Sequence, residues 1–297
     1  MKNNEINSPF YTESENGELR YLNKYKICTI PNDMNSKKYI LRNEGVLLNK
    51  YQKKDYNETT LVLEPHPDDF ALSAIGYCLN KTNTIVLNVF AKTSLKYFAW
   101  ANKINITQDT YKELRIDESK FAIESVLGEK FITMGETSTR INKKSLQKIE
   151  EEFIYKIKEI LKKNSSIKTI MVPMGIGNHP DHIFVYQSFI NNINTFNKYN
   201  IVLYPEFPYA RCKTWYGKRL EDIEKTYKLT PIIVDVTKSI NTFADVASCY
   251  KSQFDDINRN QMLALMTEDA RAIANEYNRE RLVLVYFKII KEKEYED

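Results

Sequence analysis

The sequence predicts an α/β fold: a mostly parallel sheet with helices on both faces, preceded by an N-terminal extension. Three observations lead there. Short apolar runs rich in β-branched residues, such as "TLVLEP" at 60–65 and "NTIVLNVFA" at 83–91, read as strands buried on both sides. Segments of helical period separate such runs. In "KKSLQKIEEEFIYKIKEILKKN" the apolar residues Leu146, Ile149, Phe153, Ile157, Ile160 and Leu161 share one face of a helix. The alternation also continues without an internal repeat or a low-complexity linker, so residues 59–297 are expected to form one Rossmann-like domain.

Taken in order, residues 1–58 are polar, rich in Asn, Lys and Tyr, with one apolar patch at "YILRNEGVLL". They are expected to form an extension packed on the body, partly as short strands. A helix is expected over 69–80, with Asp68 and Asp69 placed to cap it. A longer helix follows over about 108–127 and stops at Gly128, and "KFITMG" resumes as a strand. "KTIMVPM" is the next strand and 181–194 the next helix. "NIVLYPEF" and "TPIIVDV" are further strands, 239–254 and 260–278 read as helices, and "RLVLVYFKII" is a closing strand.

Composition narrows the classes of function. With 297 residues, 42% hydrophobic and 28% charged, the chain can bury a large core. Its formal charge of +4 is spread out, with lysines in company with Glu and Asp, so no basic stripe marks it for nucleic acid. No apolar run approaches the roughly 20 residues that span a bilayer, and the N-terminus lacks the apolar core of a secretory signal. The four cysteines are scattered without C-x-x-C spacing and read as free thiols of a reducing compartment. The expectation is a cytoplasmic protein without integral membrane association.

The chemistry is concentrated in the histidines. There are three, His66, His179 and His182, and each sits beside a proline and an aspartate, in "PHPDD" at 65–69 and "HPDH" at 179–182. His66 follows one predicted strand and precedes a helix; His179 and His182 follow another strand in the same way. Ligands of open α/β sheets bind outside the carboxyl ends of strands, so loops far apart in sequence can meet there. His66 and Asp69 are three residues apart, as are His179 and His182, which points each pair toward one place on a first helical turn. Imidazole nitrogens and a carboxylate suit Zn²⁺ at about 2.0–2.2 Å, with three protein ligands in a catalytic site and four in a structural one. A lone His-Pro-Asp is ordinarily a turn, Asp68 and Asp69 are also good helix caps, and Gly175 and Gly177 read as backbone punctuation. Two such stretches at equivalent corners, using every histidine in the chain, favour the metal over the turn.

These residues resemble the PIG-L/LmbE-like family of zinc-dependent de-N-acetylases. "PHPDD" is similar to that family's first motif and "HPDH" to its second. "NVFAKTS" at 88–94, "RIDE" at 115–118, "YPEFPYA" at 204–210 and "YKSQF" at 250–254 resemble later segments, so the likeness covers about residues 60–290. The resemblance implies that His66, Asp69 and His182 bind zinc and that Asp68 is the general base. It implies that His179 stabilises the oxyanion or protonates the leaving amine, with Asp181 orienting it. Phe70 stands where a glutamate is common, and Gly76 where many members have a glycine pair.

Zinc and a nearby carboxylate answer a chemical need, because an amide is a poor electrophile and neutral water a poor nucleophile. An aspartate beside His179 would raise its imidazole pKa and fix its tautomer. The expected activity is removal of the N-acetyl group from a small-molecule N-acetylated amino sugar. The resemblance implies an N-acetylglucosaminyl glycoside or pseudo-oligosaccharide, such as an aminoglycoside or glycosyl-inositol precursor. Arg115, Glu206, Tyr209 and Trp215 are candidates for hydroxyl binding or sugar stacking. The rival readings are a zinc hydrolase of another acyl ester or amide and a non-catalytic carbohydrate-binding homologue. Asp68 speaks against the second, since a pure binder has no use for a spare carboxylate beside a ligand. No G-x-G-x-x-G or Walker-type run follows a strand, which removes a nucleotide site.

Overall fold

In the computed structural model, residues 11–13, 19–22, 45–48, 56–93, 107–140, 145–254 and 257–290 are described. Three short strands of the N-terminal extension, β1 (Tyr11–Glu13), β2 (Leu19–Leu22) and β3 (Gly45–Leu48), form an antiparallel sheet of their own in that order. The expected packing of the extension on the body lies outside the described residues.

The body is built on a seven-stranded sheet. Its strands are β4 (Thr59–Glu64), β5 (Asn83–Lys92), β6 (Lys130–Thr137), β7 (Ile167–Pro173), β8 (Asn200–Tyr204), β9 (Leu229–Asp235) and β10 (Val283–Ile289). Their spatial order is β6-β5-β4-β7-β8-β10-β9. The first five of these run parallel, whereas β10 is antiparallel to both neighbours. The predicted fold class is therefore observed, with β10 as the strand that makes the sheet mixed. From β4 the chain steps outward to β5 and β6, then returns across to β7. The strand order reverses between β4 and β7, and those are the strands whose following loops carry His66 and His179.

Helices cover both faces. In chain order they are α1 (Ile75–Lys81), α2 (Gln108–Lys120), α3 (Leu146–Lys163), α4 (Pro180–Asn191), α5 (Lys213–Glu224), α6 (Ile240–Ala247) and α7 (Arg259–Glu276). The alternation of side chains along a strand divides the core in two. Leu61 and Leu63 of β4 point to the face of α3 and α4, where Ile149, Phe153, Ile157, Val185 and Phe189 pack. Val62 points to the opposite face, among Phe70, Ala74, Leu114, Phe121, Phe243 and Met262. Both faces are dry, which is why the central strands read as unbroken apolar runs rather than alternating ones.

Three helices depart from their predicted form. The one read over 69–80 begins as a wider π turn, Phe70–Ala74, before α1. The one read over 108–127 likewise passes from α2 into a π segment, Phe121–Val126. Hydropathy has the same sense in both helical forms and cannot separate them. The helix predicted over 239–254 stops at Ala247. Ser248 Oγ donates to the Ala244 carbonyl at 2.6 Å, and the chain then turns to bring Ser252 to Glu118. In contrast α7 starts where its sequence says, with Asn258 and Gln261 forming a reciprocal capping box.

Candidate active site

Two loops from neighbouring strands build the site. After β4 the chain turns through 65–69, and Glu64 shapes that turn by accepting the amide of Phe70 at 3.0 Å and that of Asp68 at 3.3 Å. Asp69 Oδ2 reaches back to the His66 amide at 2.8 Å, which folds both side chains to one side. Asp68 is carried at φ 156°, a rarely populated backbone region for a residue with a side chain. After β7 a loop with left-handed Gly175 and Gly177 leads to α4, with His179 at its N-cap and Pro180 in its first turn. His182 lies one turn in, facing His66.

The ligand atoms can be tested against a cation. Atoms about 2.1 Å from one tetrahedral cation stand about 3.4 Å from one another. His182 Nε2 is 3.1 Å from His66 Nδ1 and 3.4 Å from Asp69 Oδ2, and His66 Nδ1 is 3.7 Å from Asp69 Oδ2. The triangle has the size a metal needs. Nitrogens of His66, His179 and His182 also lie within 4.8 Å of one another, so His179 borders the same point from farther away. His66, Asp69 and His182 form the tighter of the two sets.

His66 and His182 each have a carboxylate behind the ring. Asp181 Oδ2 meets His66 Nε2 at 2.8 Å, and Glu206 Oε1 meets His182 Nδ1 at 3.2 Å. Carboxylates so placed fix the tautomer and orientation of a metal-binding imidazole. Burial pushes the His182 imidazole down, but Asp69 and Glu206 outweigh it and lift its pKa to about 9. The two carboxylates thus favour positive charge at this point. His66 is lowered, by burial above all.

Asp68 stands beside this triangle without belonging to it. Burial raises its carboxyl to about 7, against the opposing pull of Arg115, whose Nη2 lies 3.4 Å from Asp68 Oδ1. Arg115 is itself buried and also donates to the Pro67 carbonyl at 3.5 Å, so it is committed to the loop. His179 is held down at about 3 by burial and by the His66 and His182 rings. Its Nδ1 accepts the backbone N–H of Asp181 at 3.3 Å, which leaves Nε2 to carry the hydrogen.

That geometry changes one expected role. The Asp181 carboxylate is not hydrogen-bonded to His179, and although its charge raises the imidazole pKa, burial and the His66 and His182 rings outweigh it. Its two oxygens go to His66 and to Thr139, whose amide and hydroxyl donate to Oδ1 at 2.7 and 2.5 Å. Its backbone, not its carboxylate, fixes the His179 tautomer. Asp181 titrates below the usual carboxylate range: burial raises it, and the bonds from His66, Thr139 and Ser138 more than offset that.

The triangle and Asp68 open into a cavity of about 420 Å³, which Tyr209 and Trp215 also line. The Tyr209 ring lies 5.4 Å from the His182 ring and 6.3 Å from that of His179. Trp215 is 51% exposed on α5 at the cavity's edge. Glu206 does not line the cavity; it is wholly buried beneath it, occupied by backbone amides and His182. Other walls went unnamed in the sequence reading: Leu72, Ser138, Arg140, Phe207, Gln253 and Phe254. A signal existed for Ser138 and Arg140, which follow the carboxyl end of β6, the end where such sheets bind ligands. Phe254 and Gln253 had none beyond their place in "YKSQF".

Residues 61–193 match the family PIG-L, described as GlcNAc-PI de-N-acetylase, and the resemblance read from the two histidine motifs is borne out. Among solved structures, the zinc-inhibited form of teicoplanin deacetylase Orf2 superposes with a TM-score of 0.58 at 16% identity, over 78% of this chain and 98% of its own. N,N'-diacetylchitobiose deacetylase from Pyrococcus horikoshii gives 0.52 at 17% identity, over 78% and 84%. The 4-carboxy-2-hydroxymuconate hydratase from Pseudomonas putida gives 0.55 at 13%, over 79% and 96%. At such identities the likeness speaks for the fold alone, and that fold carries a hydratase as well as deacetylases. No curated protein matches the chain in sequence.

Proposed function

We propose, from the match of residues 61–193 to the PIG-L family, that the protein is a zinc-dependent deacetylase that hydrolyses the N-acetyl group of a small N-acetylated amino sugar. The observation that carries the reading is the pairing of a metal-sized triangle of ligand atoms with a carboxyl group, Asp68, that touches the same cavity and holds no ligand position. A binding protein needs the first and has no use for the second.

His66, Asp69 and His182 would hold zinc, which supplies Lewis acidity toward the amide carbonyl and brings the pKa of water down to about 7. The residues do the rest. Asp68 takes a proton from the attacking water as its oxygen bonds to the carbonyl carbon. His179, neutral and with hydrogen on Nε2, donates a hydrogen bond to the oxygen that becomes negative, in a site already arranged for it. When the C–N bond breaks, the amine must leave protonated. A neutral imidazole with so low a pKa is a poor acid, so the proton comes from Asp68, which returns to its starting state. Arg115 keeps Asp68 in place, and Asp181 and Glu206 hold the two ligating rings.

The amino sugar is supported by the family's description and by the aromatic cavity walls, Tyr209 and Trp215, which suit the apolar face of a sugar ring. Zinc-loaded protein incubated with N-acetylglucosaminides should release acetate and a primary amine in equal amounts. A panel of other amides and acyl esters runs beside them. Turnover confined to esters or non-sugar amides would replace the sugar reading with a broader acyl hydrolase. No turnover of any acyl compound by protein that binds zinc would remove the enzyme.

A further inference from the structure

Glu206 is a buried acidic residue that takes no part in the proton transfers above. It lies just past β8, fully buried, and accepts from four groups. Met174 N donates to Oε2 at 3.1 Å; Gly175 N and Ile176 N donate to Oε1 at 2.6 and 3.3 Å; His182 Nδ1 meets Oε1 at 3.2 Å. Gly175 is left-handed, φ 78° and ψ 40°, which lets three consecutive amides turn toward one centre. Such concavities of backbone N–H groups bind anions in many proteins. In this one the anion is the chain's own side chain, and one of its oxygens also faces a metal ligand.

A carboxylate oxygen only accepts, so the hydrogen between it and His182 belongs to Nδ1. In the neutral imidazole that binds a metal the lone pair then falls on Nε2, the nitrogen that faces His66 Nδ1 at 3.1 Å and Asp69 Oδ2 at 3.4 Å. The loop that Glu206 gathers, 174–176, leads directly into His179. Arg219 closes the same loop from α5, donating from Nε to the Met174 carbonyl at 2.5 Å, with its guanidinium 4.2 Å from the Tyr186 ring.

We propose that Glu206 is a positioning residue for the cation. It selects the His182 tautomer that leaves Nε2 free to bind metal, and it ties that choice to the loop that sets His179. The inference rests on the metal centre proposed above and adds a determinant of its affinity that lies outside the cavity. A purely structural role would be satisfied by the three amides alone and would leave the metal unaffected.

The test uses Glu206→Gln, which keeps the volume and an oxygen acceptor but removes the charge. Zinc affinity measured by calorimetry on metal-stripped protein should fall about 10–100-fold, the usual cost of losing a partner behind a ligand, with one zinc still bound. A folded variant that binds zinc as tightly as wild type overturns the proposal, even if its thermal stability drops. The second readout needs no variant. In zinc-loaded wild-type protein, ¹⁵N spectra of the histidines should show His182 with hydrogen on Nδ1 and metal on Nε2. Hydrogen on Nε2 overturns the proposal as well. Wild-type protein that binds no zinc ends both the metal centre and this role. Neither readout involves substrate, so protein that binds zinc and deacetylates nothing counts against the reaction and not against Glu206.

Discussion

Asp68 and Asp69 are neighbours in the chain with opposite employments, and the backbone separates them. Asp69 turns back to the His66 amide, and the same oxygen, Oδ2, faces the nitrogens of His66 and His182. Asp68, at φ 156°, is turned away to Arg115 and the cavity. The difference in role proposed for them is therefore one of direction rather than of residue type. Replacing Asp68 by Asn keeps its size and its reach toward Arg115 but removes the proton acceptor. Turnover should fall about 10²–10⁴-fold, the range general acid–base groups supply, while zinc stoichiometry and affinity remain those of wild type. Steady-state kinetics beside a metal titration tests both halves; a variant that loses zinc along with activity would move Asp68 into the ligand set.

At the scale of elements, the site depends on segments that touch no substrate. Glu118 of α2 accepts the Ser252 amide at 2.7 Å and its hydroxyl at 2.5 Å, which pins the turn carrying Gln253 and Phe254 against the helix that carries Arg115. Burial raises the Glu118 carboxyl to about 8, although the Ser252 bonds and Arg115 pull it down. The folded state thus holds a proton that the unfolded state gives up at an ordinary glutamate pKa. Its contribution is undiminished below that value and declines as pH rises through the folded pKa. Glu118→Gln removes the titration, so its melting temperature should fall less than wild type's between about pH 5 and about pH 8. Equal slopes would show that Glu118 is ionised in the folded protein at neutral pH. Gly177 is a second support. It sits at φ +76°, and a Cβ there would lie 2.8 Å from Tyr209 Cδ1. Gly177→Ala should cost about 1–2 kcal/mol for the left-handed backbone alone. It should also lower kcat/KM by displacing Tyr209, with zinc affinity unchanged; a variant with normal kinetics would take Tyr209 out of the substrate wall. These elements also mark how far sequence could see. Strands, helix periods and both histidine corners were legible because burial on two faces and turn chemistry leave local patterns. The early end of α6, the π segments and the partner of Asp181 were not, because hydrogen bonds between residues far apart decide them. Glu206 shows the same limit: its type and its place after a strand suggested a substrate contact, and only the fold shows the loop amides above it.

The whole molecule is organised around the place where strand order reverses. Strands β4 to β6 build one side of the seven-stranded sheet and β7 to β10 the other, and β4 and β7 meet as parallel neighbours at the centre. His66 and Asp69 come from the first side and His182 from the second, with 116 residues between the two histidines. A cation shared by the three would cross-link the halves at the carboxyl ends of their central strands. It binds the folded sheet and finds no such set of ligands in the unfolded chain, so its binding energy becomes folding energy. At free zinc about 100 times the dissociation constant this amounts to about 2.7 kcal/mol. For a body of this size that is a rise in melting temperature of about 5–11 °C. Calorimetric scans of stripped protein, of protein with zinc and of protein with zinc and chelator should show the rise and its reversal. His182→Ala removes one corner of the triangle, and its melting temperature should no longer respond to zinc. If that variant responds as wild type does, the stabilising ion sits elsewhere, and the two histidine corners are joined by hydrogen bonds alone.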